Sequence, residues 1–140
     1  MEIGGFKFPD DLYYDLEHNW ARVDGNRVTI GISDFAQAIA GEIVFAEVPR
    51  VGRKIELGKP FMSMESGKWV GRIKAIVSGQ IVEANEEIEF DSTVINKSTY
   101  EQGWLAAVDM SSSAEVVGLL KPSDPKFQAF IAEQKAKYGK

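Results

Sequence analysis

The chain has 140 residues, 44% of them hydrophobic and 11% aromatic, and a formal net charge of -5. That is enough apolar material for a proper core, which rules out disorder as the main state, and the acidic balance repels phosphate backbones, which argues against a nucleic-acid binder. With no cysteine and a single histidine, His18, the chain has no disulfide, thiol nucleophile, Cys-ligated zinc, iron–sulfur cluster or His–His metal pair.

Residues 1–9 have neither a basic start nor an apolar stretch, so they do not read as a signal peptide. No apolar run is long enough to span a bilayer, and a cytoplasmic protein is expected. Turn residues then recur at short intervals, and the segments between them favour strands. Residues 20–23 and 27–30 flank Asp24-Gly25-Asn26 and predict a β-hairpin. Ser33 caps a short predicted helix over 34–40, with Gly41 as its stop. Residues 42–48 form a candidate strand ended by Pro49.

Residues 61–65 and 69–73 flank Ser66-Gly67-Lys68, a predicted tight turn in which glycine accepts positive φ. A bend at Ser78-Gly79 leads to a strand over 80–84, and 103–108 is the last strand candidate, with Trp104 expected in the core. Ser113 is expected to cap a short turn over 114–120. The final helix, about 124–138, has Asp124 as its cap and Pro125 at the first helical position. Phe127, Phe130, Ile131 and Tyr138 form its apolar stripe, and Lys135 and Lys137 suit its C-terminal dipole. Many short strands with glycine-rich turns predict a mainly β sandwich or barrel, as a single domain over 1–140.

Charge is unevenly spread. Residues 50–74 hold seven basic side chains (Arg50, Arg53, Lys54, Lys59, Lys68, Arg72, Lys74) and two acidic ones (Glu56, Glu65), a balance of +5 that leaves -10 for the remainder. Residues 83–91 hold five acidic side chains and no basic one. In most strand proteins such segregation means two solvated faces. The functional reading is a positive docking surface around residue 68 that selects acidic partners.

A lysine in a hairpin turn is ordinarily a solubilising surface residue. Its setting singles out Lys68, because a tight turn holds the amine at a protrusion where another protein's active site can reach it. A chain this poor in reactive side chains either does not catalyse or acquires its reactive group by modification.

The same setting resembles a known family. Glu17-His18-Asn19-Trp20, Gly31-Ile32-Ser33-Asp34-Phe35-Ala36-Gln37, Gly41-Glu42-Ile43-Val44-Phe45 and Val51-Gly52 match it in order and spacing. So do Glu65-Ser66-Gly67-Lys68, the run 77–86 and Tyr100-Glu101-Gln102-Gly103-Trp104-Leu105. From about 17 to 120 the chain resembles the H protein of the glycine cleavage system. The resemblance implies a barrel-sandwich hybrid of the lipoyl-domain kind, with short peripheral helices and a hairpin at about 61–74 that bears the modified lysine.

The family's E-S-x-K pattern places lipoic acid on Lys68, joined by an amide that takes the formal net charge from -5 to -6. The implied protein is a carrier, not itself an enzyme. Its implied partners are a lipoate ligase or lipoyl transferase, the enzymes that load and unload the arm, and dihydrolipoamide dehydrogenase, with neither nucleic acid nor membrane among them. Biotin is the rival cofactor, but its lysine normally lies between two methionines, and here the neighbours are Gly67 and Trp69.

The family's motif usually reads E-S-V-K-A, followed by an acidic and serine-rich stretch. Here Trp69, Val70, Gly71 and Arg72 follow the lysine, then Ile73 and Lys74. With Leu12-Tyr13-Tyr14-Asp15 and Asn19-Trp20, this looks more like the lipoate-binding proteins of the sulfur-oxidising heterodisulfide-reductase-like system, whose arm carries sulfur intermediates. Carriage of an aminomethyl group in glycine cleavage is the alternative, and an unmodified protein-interaction adaptor is a second. Glu65, Ser66 and Gly67 are candidate marks for the attaching enzyme, Trp69 a stacking surface beside the arm, and Arg72 and Lys74 steering charges for acidic partners. Plainer readings stand beside these: Glu65 an ordinary strand residue, Trp69 packing across the hairpin, Arg72 and Lys74 solvated. His18 reads as a surface or strand-edge residue, and a hydrolase built on it lacks visible partners.

Overall fold

Short strands separated by turns dominate the computed structural model, which describes residues 1–140. In chain order they are β1 (Glu2–Ile3), β2 (Phe6–Lys7), β3 (Tyr13–Tyr14), β4 (Asn19–Asp24), β5 (Arg27–Ile32), β6 (Ile43–Ala46), β7 (Lys54–Ile55), β8 (Pro60–Ser66), β9 (Val70–Lys74), β10 (Gly79–Ala84) and β11 (Ala106–Met110). The helices are α1 (Asp34–Ala40), α2 (Glu87–Phe90), α3 (Val94–Lys97) and α4 (Pro125–Tyr138), with a 3₁₀ turn at Ser113–Gly118. No helix is long and apolar enough to cross a membrane.

Six strands pair in the order β3-β4-β5-β11-β10-β7, three in the order β6-β8-β9, and β1 pairs with β2. The two larger sheets share a core of 23 buried residues. Ile30, Ile81 and Val108 enter it from the six-stranded sheet, and Ile43, Phe61, Met64 and Ile73 from the three-stranded one. The architecture is a mainly β barrel-sandwich hybrid with short helices outside it.

Local chemistry explains the elements visible in the sequence. In the β4–β5 hairpin Asp24 pairs with Arg27, and of the two loop residues only Gly25 has positive φ, at +60°, as a type II′ turn requires. Ser33 Oγ accepts from Ala36 N at 3.1 Å to start α1, which ends at Gly41 with φ +82°. Asp124 accepts from Lys126 N at 2.9 Å, Pro125 opens α4, and Gly139 closes it in the left-handed region. The expected Ser113 cap does not form: Ser113 lies inside the 3₁₀ turn, and Ser112 precedes it without a side-chain bond. Only Val116 of that segment packs on the core, and it is half-buried, which is too little to hold a longer α-helix there.

A second cluster of seven buried residues lies apart from the main core: Phe8, Leu12, Tyr14, Trp20, Phe35, Phe127 and Ile131. Phe8 meets Tyr14 and Phe127 edge-on, with ring centroids 5.5 and 5.2 Å apart. Through it Phe127 and Ile131 dock α4 against the N-terminal segment, while Phe130 and Trp104 are only half-buried at its margin and Tyr138 stays exposed. Trp20 is completely buried, its Nε1 donating to Thr99 O at 3.1 Å. Its ring occupies the space beside Gly31, its pairing partner on β5, where a Cβ would collide with it.

Gly31→Ala is therefore expected to destabilise the fold by about 1–3 kcal/mol through overpacking. Gly67, with ordinary φ and open space where a methyl group would stand, should accept alanine within about 0.5 kcal/mol. Urea unfolding of the two variants beside the parent checks this; equal midpoints for all three would contradict it.

Candidate functional site

The β8–β9 hairpin rests on the core. Phe61, Met62 and Met64 of β8 and Ile73 of β9 are buried, so its base is fixed by packing. Glu65 pairs with Val70, which leaves 66–69 as the tip, and Ser66 N donates to Trp69 O at 2.7 Å. The buried Ser66 also accepts from Lys68 N through its hydroxyl, at 3.3 Å. Gly67 does not use the positive φ expected of it. The serine hydroxyl bends the backbone within the reach of ordinary φ values, so the left-handed region is not needed.

Lys68 is exposed at this tip, and its amine takes part in no ion pair. Its stem leans over Gly41, where a Cβ would lie 2.8 Å from Lys68 Cε. Gly41 thus ends α1 and clears ground for the lysine, a double role that its capping pattern revealed only in part.

A cleft of about 220 Å³ opens beside the tip. The hairpin lines it with Trp69, Arg72, Ile73 and Lys74; β5 and α1 add Ile32, Ala36, Ile39 and Ala40; and Glu17, His18 and Tyr138 complete it. Trp69 precedes β9, and its ring lies over Gly71 at the cleft. Arg72 is exposed opposite Ser63 without an ion pair, and Lys74 Nζ lies 3.6 Å from Glu17 Oε1. Glu65 is exposed on the outer face, between Phe45 and Val70. Trp69, Arg72 and Lys74 therefore gather around one cleft, with Lys68 at the tip beside it, while Glu65 faces away and Ser66 and Gly67 shape the tip.

The basic run 50–74 does not form one continuous positive surface. Arg53 Nη1 donates to Phe61 O at 2.7 Å, Lys59 pairs with Glu56 at 2.7 Å, and Lys74 pairs with Glu17. Local partners tie these cations.

His18 stands at the edge of β4, as expected, its carbonyl accepting from Ser33 N, but its ring is half-buried rather than free at the surface. Asp15 builds the corner that holds it, accepting from Glu17 N, Asn19 N and Asn19 Nδ2 at 2.9 Å each. Burial pushes the Asp15 carboxyl upward against the pull of these bonds. The turn leaves His18 at φ +70°, with its ring against Phe35 and Phe130 at 5.5 and 5.0 Å. Nε2 lies 2.9 Å from Gln134 Oε1, and the buried Nδ1 has no partner. His18 is thus a bracket between α1 and α4, at one wall of the cleft. Burial lowers its pKa below the usual 6.5, although the Gln134 bond and Glu17 oppose that shift.

Comparison with known proteins identifies what this arrangement is part of. The family model described as "Glycine cleavage H-protein" matches residues 12–133. This chain belongs to the glycine cleavage H-protein family. A glycine cleavage system H protein of Brevibacillus brevis is 44% identical over 127 residues, covering 91% of this chain and 99% of that one. The one from Halalkalibacterium halodurans is 42% identical, covering 90% and 97%. The crystal structure of a glycine cleavage system H protein from Mycobacterium marinum superposes with a TM-score of 0.78 at 30% identity, covering 91% of this chain and 98% of that one.

These relatives favour the glycine cleavage reading over the sulfur-oxidising one to which residues 65–72 pointed. The physical reason lies in where similarity is counted. An exposed tip that packs on little changes without cost to the fold, whereas likeness over 127 residues includes the core that holds the hairpin.

The bracket generates a pH dependence. Between 6.5 and the lower value of the folded chain, unfolded His18 binds more protons than folded His18, so stability falls as pH drops through that window and levels off below it. His18→Asn keeps a residue tolerant of positive φ and is expected to flatten this slope. Urea midpoints measured for both proteins from pH 7.5 downward check it; an unchanged slope would remove His18 as its source.

Proposed function

We propose that this chain carries lipoic acid on Lys68 and serves as the H-protein carrier of a glycine cleavage system, passing an aminomethyl group between partner enzymes. The family's cofactor is lipoic acid, held covalently on a lysine, and the protein is a carrier rather than an enzyme. The observation that carries the assignment to Lys68 is its amine, exposed and free of ion pairs at the closed tip, in the family's E-S-x-K pattern.

The residues present fit the group. An amide forms only on an amine that another active site can enclose, and nothing in this protein encloses Lys68 Nζ. When attached, lipoic acid supplies a cyclic disulfide that opens to two thiols, chemistry that no side chain of this cysteine-free chain provides. The protein contributes a stiff base, a tip that points the amine outward, and an apolar cleft beside it into which a hydrocarbon arm can fold away from water. Glu65 and the Ser66-Gly67 tip mark the lysine for a lipoate ligase or lipoyl transferase. Dihydrolipoamide dehydrogenase is the partner that returns the opened thiols to the ring.

One observation favours a second reading, an arm loaded with an anionic sulfur species. Arg72 and Lys74 stand at the cleft with Trp69, and cations there suit a negatively charged end group.

Co-expression with a lipoate ligase should add one lipoyl group to the parent protein and none to Lys68→Ala, as read by intact mass, with fragmentation placing the group on Lys68. An unmodified parent, or a modified Lys68→Ala, overturns the assignment. The loaded protein should then support glycine decarboxylation by purified glycine decarboxylase. Failure there, with transfer to sulfur-handling enzymes instead, would select the second reading, and partner binding indifferent to Lys68→Ala would select an unmodified adaptor.

A further inference from the structure

The outer face of the small sheet is unusual for a surface in water. Val44, Phe45 and Val70 are 60%, 52% and 73% exposed, although all three belong to strands. Register explains their grouping: Phe45 and Val70 flank Glu65 on opposite sides, and the irregularity in β6 between Ile43 and Phe45 turns Val44 outward beside Phe45. The acidic segment lies along the β6 edge of this sheet. Helix α2 packs beside β6, Ser92 Oγ donates to Ile43 O at 2.7 Å, and Phe90 is left 85% exposed. Grouped apolar side chains of this kind mark an interaction site rather than ordinary surface.

Charge narrows the partner. Glu42, Glu65, Glu87 and Glu89 border these residues, are exposed, and take part in no ion pair, against one unpaired cation, Arg72, two positions along β9 from Val70. The face therefore selects a cationic partner, the reverse of the acidic partner that the basic run had suggested. Position narrows it further. Val70 lies two residues after Lys68, and Gly41, under the lysine stem, leads through Glu42 into β6. Enzymes that work at the far end of an arm are held off by its length. The enzyme that builds the amide must bring its active site to Nζ itself, and so must cover the ground next to it.

We infer that the ridge formed by Val44, Phe45, Val70 and Phe90, with its acidic rim, is the docking surface for the enzyme that attaches lipoate to Lys68. This rests on the carrier reading above. That enzyme activates a carboxylate as a mixed anhydride with a nucleotide phosphate, made from a nucleoside triphosphate, and cations that hold the phosphate give its mouth the complementary charge. In the step served, the N–C bond forms between Lys68 Nζ and the lipoyl carboxyl carbon. The C–O bond to the phosphate breaks, and the nucleotide leaves with that electron pair. The ammonium gives up two protons in all, one before attack and one as the amide forms.

The test is steady-state lipoylation by a purified lipoate ligase with lipoate and ATP, using the full chain as acceptor. Phe45→Ser combined with Phe90→Ser should raise KM for the acceptor about tenfold or more with kcat little changed. Glu87→Lys combined with Glu89→Lys should also raise it and flatten its dependence on salt. All four positions are exposed, so melting curves should match the parent and separate docking from folding. A KM unchanged in both variants overturns the inference, as does a fall in kcat alone. Normal lipoylation with weakened turnover by glycine decarboxylase also overturns it, by giving the face to a different enzyme. A parent protein that is never lipoylated fails the carrier reading instead, so the two failures are distinguishable.

Discussion

The β8–β9 hairpin is held at one end only. Phe61, Met62, Met64 and Ile73 pin its base in the main core, and beyond the Glu65–Val70 pair no buried apolar side chain is left to pack. The tip keeps its shape through two hydrogen bonds from its own backbone, one to Trp69 O and one to the Ser66 hydroxyl. A lysine mounted this way is fixed at its Cα and free at its amine. Tertiary packing supplies the rigidity without enclosing the group, and both the accessibility of the amine and the neighbouring cleft follow from that division.

The cleft depends on the second cluster. Phe127 and Ile131 dock α4 on an aromatic layer containing Phe8, Tyr14 and Phe35, and this brings Gln134 to His18 and Tyr138 to the cleft. His18 tolerates its left-handed backbone because Asp15 satisfies the turn around it. The ring is then sandwiched by Phe35 and Phe130 with one nitrogen unsatisfied, an arrangement that favours the neutral imidazole. The wall of the cleft is in this sense maintained by a group whose charging the core resists.

Electrostatics shows how far linear charge counts and surface fields diverge. The basic residues nearest Lys68 in sequence are partly consumed by local contacts, and Arg72, which leaves β9 on the Val70 side, reaches the cleft along with Lys74. The acidic run 83–91 lies far from Lys68 along the chain, yet α2 carries part of it to the edge of the same small sheet. Two different surfaces therefore meet at the tip, a cleft with cations at its rim and an apolar ridge bordered by carboxylates. A carrier that must be modified once and then visit other enzymes has use for such a separation.

Short-range chemistry was legible from the residues alone. The β4–β5 hairpin, α1 between Ser33 and Gly41, α4 between Asp124 and Gly139, and the hairpin that presents Lys68 each depend on caps, turns and alternation within a few neighbouring positions, and the family motif around Lys68 is equally local. What the tertiary structure decided is whatever depends on distant partners. Two-residue strands such as β3 and β7 exist only because β4 and β10 pair with them. His18 meets Gln134 across 116 positions, and Gly41 meets Lys68 by packing that no periodicity encodes. A capping residue acts on amides it can reach along its own backbone, so its effect is written beside it. A cleft is made of side chains that become neighbours only when separate sheets and helices close on a common core.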